Sequence, residues 1–148
     1  MEKINIKRNE EDFYKIEVNE KGEYIEFDLT DVSLPYRILK ASEELIKLDK
    51  EKAEQANEML EKYKDDEEKL IEESIKFDEL TFIKIRAIFD SFLGEGACQK
   101  IFGIKNNYEQ FDMLLDELEP HFKKMEIKMK KAKSKLAKKY SVKDNEVI

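Results

Sequence analysis

The sequence predicts a mainly α-helical protein with a small N-terminal β-hairpin, in which a long helical hairpin or coiled-coil arm is followed by short C-terminal helices. Three observations carry this. The chain has two prolines and four glycines in 148 residues and is rich in charge, with 43% Asp, Glu, Lys and Arg against 41% apolar residues. Such a composition suits extended helices better than a thick globule. Three of the four glycines fall in one window, "GEGACQKIFG", flanked on both sides by long charged sequence. Ahead of it all, alternating apolar and polar residues surround the fourth glycine, Gly22.

A length of 148 residues fits a single domain spanning 1–148,. Within it, residues 10–30 read as a β-hairpin. Phe13 to Val18 and Glu23 to Leu29 form its strands, and "NEKGE" forms the turn,. A lone hairpin is marginal in water, so it needs a helix or another copy to pack against. Residues 33–76 read as one long charged helix, with Ser33 as N-cap and Pro35 in the first turn, where a missing amide hydrogen costs least,. Taking Ile46, Ala53 and Leu60 as the a positions of a heptad seam puts Ala56, Tyr63, Leu70 and Phe77 at d, with Asp49, Glu67 and Ser74 as interruptions,. Residues 49–79 hold 13 acids and 6 lysines, so this stretch is expected to project into solvent or to meet a partner,.

Residues 77–122 read as an apolar helical core. Phe77, Leu80, Phe82, Ile85, Ile88, Phe89 and Phe92 cover more than one face of a helix, which Gly94 then ends,. Between Gly96 and Gly103 there is room for about two helical turns. Asn107 can cap the next helix, with Gln110 three residues on,. The structural turns are therefore assigned to Gly94, Gly96 and Gly103. In the last helix Pro120 is expected to kink or break the chain. That separates a core-packed half from a basic amphipathic helix over 123–140, and residues 141–148 follow as a flexible tail.

The basic helix carries Lys123, Lys124, Lys128, Lys130, Lys131, Lys133, Lys135, Lys138 and Lys139 against one glutamate, a net of +8 within a chain of net −7. This asymmetry suggests a partner for the basic end, or pairing with an acidic segment of another copy. Tyr140 is its only aromatic residue besides flanking Phe122, and it lacks the arginines that read guanine, so nucleic acid is the less favoured partner,.

Reactive chemistry is sparse. A single histidine, His121, and a single cysteine, Cys98, cannot build a His/Cys metal cage, and they make a thiol–imidazole nucleophile pair improbable,. "GEGACQKIFG" lacks the Gly-Lys-Ser/Thr ending of a phosphate loop. Carboxylate pairs such as Glu72/Glu73 lie on a polar helix with nothing to desolvate them. The expectation is no catalytic residue, no metal and no cofactor. No run of about 18 apolar residues occurs and the first residues lack the apolar core of a signal peptide, so the expected setting is cytoplasmic, away from membranes.

The order Phe89-Asp90, Phe92-Leu93-Gly94-Glu95-Gly96, Lys100-Ile101-Phe102-Gly103, Asn106-Asn107 and then an aromatic-rich helix reaching Leu118-Glu119-Pro120 resembles small tail-gene proteins of phages and prophages of Gram-positive bacteria, commonly assigned as tail assembly chaperones. The resemblance covers roughly residues 77–125. It implies a non-enzymatic, self-associating protein of the host bacterial cytoplasm that coats the helical tape measure protein, or another tail component, during tail assembly. The contact residues it would use are Phe82, Ile85, Phe89, Phe92, Ile101, Phe102, Phe111, Leu114, Leu115 and Leu118. Helical spacing alone suits these residues equally to a core. A coiled-coil assembly protein that stays in the particle, and a nucleic-acid binder acting through the basic helix, remain as alternatives.

Overall fold

A computed structural model of the chain describes the backbone of residues 1–147 and the side chains of residues 1–131. A 3₁₀ turn over Glu10–Asp12 leads into strand β1 (Phe13–Glu17), which pairs with β2 (Tyr24–Asp28) as a two-stranded antiparallel hairpin. Four helices follow: α1 (Leu34–Lys62), α2 (Glu67–Leu93), α3 (Ala97–Phe102) and α4 (Tyr108–Val147). The chain is therefore mainly helical with an N-terminal hairpin, as the sequence predicts.

Where length suggests one domain, the chain divides into two compact units, each assembled from separated segments. One gathers Met1–Ile16, Glu26–Val32 and Asn107–Ile148, and the other gathers Glu17–Ile25 and Ser33–Asn106. The hairpin runs through both, its open end in the first unit and its turn in the second.

In the second unit, Asn19 organises the hairpin turn. Its side-chain oxygen accepts the amides of Lys21 (3.0 Å) and Glu23 (3.2 Å), a local bond pattern that Asn makes readily in turns,. Helix α1 then packs against α2, and α2 against α3. Ser33 is the N-cap of α1 and Pro35 lies in the first turn, but the Ser33 side chain makes no cap hydrogen bond. The expected continuous helix over 33–76 is interrupted: α1 ends at Lys62, and Tyr63 to Asp66 turn the chain. The stop uses neither glycine nor proline. Asp66 instead starts α2 as N-cap, accepting the Lys69 amide at 3.0 Å, with Glu67 and Glu68 favourably placed in the positive first turn,. The α1–α2 seam keeps the expected d positions, Ala56, Tyr63, Leu70 and Phe77 all being half-buried, and differs at the a positions. Leu45, Leu48, Ala56 and Met59 are half-buried, whereas the expected a positions Ile46, Ala53 and Leu60 are exposed.

The C-terminal half of α2 is the densest part of this unit. Thr81, Phe82, Ile85, Phe89, Phe92 and Leu93 are all buried. Helix α3 is bracketed by glycines, Gly94 capping α2, Gly96 starting α3 and Gly103 ending it, as expected. Gly103 has φ 62° and ψ −135°, a region open to glycine and costly to residues bearing a Cβ,.

In the first unit, α4 has its N-terminus held by Asn107, whose side-chain oxygen accepts the Gln110 amide at 3.3 Å. Pro120 sits inside this helix and does not end it, so of the expected kink or break the break does not occur. The buried face continues across the proline, from Phe111 and Leu118 to Met125. Packing on both sides can outweigh the roughly 3 kcal/mol that an interior proline costs. The helix also extends to Val147 where a flexible tail over 141–148 was expected, and no glycine or proline follows Pro120 to stop it. The side chains of that stretch lie outside the described residues.

Candidate functional site

Each of the ten residues assigned to partner contact has a definite place. Phe82, Ile85, Phe89, Phe92, Phe111 and Leu118 are buried, so they serve the interior. Ile101, Phe102 and Leu114 are half-buried, and Leu115 is exposed at 40%. Apart from Leu115, the large apolar residues that reach the surface of the same region are neighbours outside the ten. In the second unit these are Leu80 (61% exposed), Ile83 (64%) and Ile104 (91%). In the first unit Met113 (61%) accompanies Leu115 on α4.

Polar residues of the second unit hold these elements in place. The Arg86 guanidinium donates to Asn106 Oδ1 (2.8 Å), to the Gly103 carbonyl (2.8 Å) and to the Lys105 carbonyl (2.9 Å), fastening the connector after α3 to the side of α2. Asp90 accepts the Cys98 amide at 2.9 Å. Asn19 Nδ2 donates to the Lys100 carbonyl at 3.0 Å, and Lys100 Nζ donates to the Tyr24 carbonyl at 3.3 Å, so α3 is tied to the hairpin turn from both sides. Sequence reasoning assigned no role to Arg86, and placed Asn19 in the hairpin turn without its bond to α3. Their partners are up to 81 residues away, and no local pattern signals such bonds.

In the first unit, Tyr14 on β1 and His121 on α4 share a hydrogen bond of 2.7 Å between the hydroxyl and Nδ1, and their rings meet edge to face. Phe27 and Phe122 make a second edge-to-face pair at 6.0 Å. Arg8 covers the Phe13 ring at 3.6 Å and donates to Glu26 at 2.7 Å, joining the chain start to β2. That bond holds the Glu26 carboxyl below the usual carboxylate range. Lys15, followed by Arg8, does the same for Glu10.

The two groups with the best prior claim to reactivity have structural surroundings. Cys98 is 1% exposed, and burial, then Asp90, pushes its thiol up to about 12. At neutral pH it is a protonated, weakly nucleophilic sulfur. His121 is a hydrogen-bonded bridge between strand and helix. Among the described residues, no group of three or more His, Cys, Asp and Glu could hold a metal ion.

Of the basic tail, Lys123, Lys124, Lys128, Lys130 and Lys131 are exposed. Lys123 pairs with Glu119 (3.4 Å), Lys130 pairs with Glu126 (3.2 Å), and Lys128 stands 5.1 Å from the Tyr14 ring centre. The side chains of Lys133, Lys135, Lys138 and Lys139 lie outside the described residues.

These features define a class: a helical-hairpin protein whose surface offers apolar side chains set among charges. Comparison with protein-family models, with curated proteins and with solved structures finds no match. Among the described residues, no helix is long and apolar enough to cross a membrane.

Proposed function

We propose that this protein is a non-enzymatic tail assembly chaperone of a phage or prophage, acting in the host bacterial cytoplasm by holding the helical tape measure protein soluble until the tail tube forms around it. The observation that carries the reading is the set of apolar side chains left on helix surfaces in the region of resemblance. Leu80 and Ile83 lie on α2, and Met113 and Leu115 on α4, each surrounded by charged residues. Apolar residues exposed in this way are suited to cover the apolar stripes of a long helix, while the neighbouring charges keep the complex in solution. The buried residues among the original candidates act indirectly, by fixing the helices on which these four are displayed.

Co-expression with a tape measure protein encoded downstream tests the proposal. The client is expected to be soluble and to co-purify with this chain, and to return to the insoluble fraction when Ile83→Glu and Leu115→Glu are introduced together. A client that remains insoluble with the unaltered chain, or that is equally soluble without it, overturns the proposal. The α1–α2 hairpin favours a second reading, a coiled-coil assembly protein retained in the particle. Mass spectrometry of purified virions separates the two, because a chaperone is absent from the finished particle.

A further inference from the structure

The second unit has another exposed apolar surface, away from the residues assigned to the client. Leu39, Ile46, Ala53 and Leu60 follow one another at intervals of seven along α1, and all four are exposed, the three large ones by 58%, 71% and 54% respectively. On α2, Ile71 and Ile75 are exposed at 55% and 56% and lie one turn apart. At about 100° per residue, both sets are rotated in the same sense from the α1–α2 seam, and in an antiparallel pair that sense brings them to one face. Heptad spacing is the pattern with which a helix receives another helix. A solvated helix needs no such row.

Charge identifies the occupant. Glu68, Glu72 and Glu79 flank the Ile71–Ile75 pair on α2, within a stretch, residues 49–79, of 13 acids and 6 lysines. The same chain carries the complementary element. Over residues 123–140 there are nine lysines and one glutamate, and beyond Met125, which is buried within the chain's own first unit, Met129, Ala132 and Leu136 follow at intervals of three and four. Lys128, Lys131 and Lys135 repeat that spacing. The lengths agree too: Leu39 to Leu60 spans about 32 Å of helix, and residues 123 to 140 about 27 Å.

We infer that this protein self-associates by laying the basic C-terminal half of α4 from one copy on the acidic, heptad-spaced face of the α1–α2 arm of a second copy. The inference does not depend on the chaperone reading, since self-association is measured with no client present.

Sedimentation velocity on the full chain tests it, using two charge-reversed variants, Lys131→Glu/Lys135→Glu and Glu68→Lys/Glu72→Lys/Glu79→Lys. Glu68, Glu72, Glu79 and Lys131 are exposed, and far-UV circular dichroism checks that the helices persist. The unaltered chain is expected to form dimers or larger species that dissociate as salt rises from about 0.1 M to about 1 M. Each variant alone is expected to associate at least about tenfold more weakly, and the equimolar mixture to recover association through the swapped charges. A chain that stays monomeric up to about 100 µM, association unaffected by either reversal, or variants that fail to associate on mixing would each overturn the inference.

Discussion

The two halves of α2 belong to one uninterrupted helix and have opposite relations to the rest of their unit. From Thr81 to Leu93 six residues are buried, three of them phenylalanines, and Arg86 and Asp90 bind the connector and α3. From Glu67 to Leu80 no residue is buried, isoleucines at 71 and 75 face solvent, and Lys69 and Lys76 are engaged in exposed ion pairs with Glu72 and Glu73. Exposed pairs of this kind contribute little, because solvent screens them and holding two long side chains together costs entropy. One half is thus held by what it buries, while the other is positioned by its continuity with the first and by its partner α1. A single helix can in this way be anchored at one end and display side chains at the other.

Substitutions that treat the two halves alike should give unlike results. Phe89→Ala, at a position 1% exposed, is expected to lower unfolding free energy by about 3 to 5 kcal/mol in denaturant titration,. Ile71→Ala in the displayed half should stay within about 0.5 kcal/mol. Equal losses at the two sites would show that the arm is as deeply packed as the base. Arg86→Ala removes three hydrogen bonds to the connector and should cost about 2 kcal/mol, sharpening the assignment of the base as the anchored end,.

The smallest effect is expected from acid, outside α2 altogether. Glu10 and Glu26 are held below the usual carboxylate range in the folded chain, by Lys15 and Arg8 for the first and by Arg8 for the second. A depressed folded value gives stability that is present above the unfolded carboxylate range and is lost as pH falls through the lower folded values. Arg8→Ala should therefore make acid unfolding less steep, moving its midpoint by roughly a few tenths of a pH unit because the groups are exposed. Circular dichroism followed from neutral pH downward checks the sign.

The parts of this architecture that could be read in advance are those that local chemistry specifies. Gly22 between alternating residues announces the hairpin, and Gly94, Gly96 and Gly103 bracket α3. Asn107 announces the start of α4. The turn over Tyr63 to Asp66 was not legible, because an aspartate N-cap within "KYKDDEEK" looks much like the charged residues on either side. It becomes decisive only once α1 and α2 pack antiparallel. Pro120 misled in the other direction, since its local cost is real and is overcome by burial of Leu118 and Met125 on one face. Phe82 and Phe89 were candidate contacts through the resemblance, and spacing could not correct this: it marks a face as apolar, and whether that face meets its own chain or another is settled by the fold.

The hinge-like reversal at Tyr63 to Asp66 makes the reach of the arm an adjustable quantity. Adding seven residues to α1 and seven to α2 at the tip would preserve the seam register and push the reversal outward by about 10 Å, leaving the phenylalanine-rich base as it is. The protein could thus acquire a longer or shorter lever without redesigning its foundation.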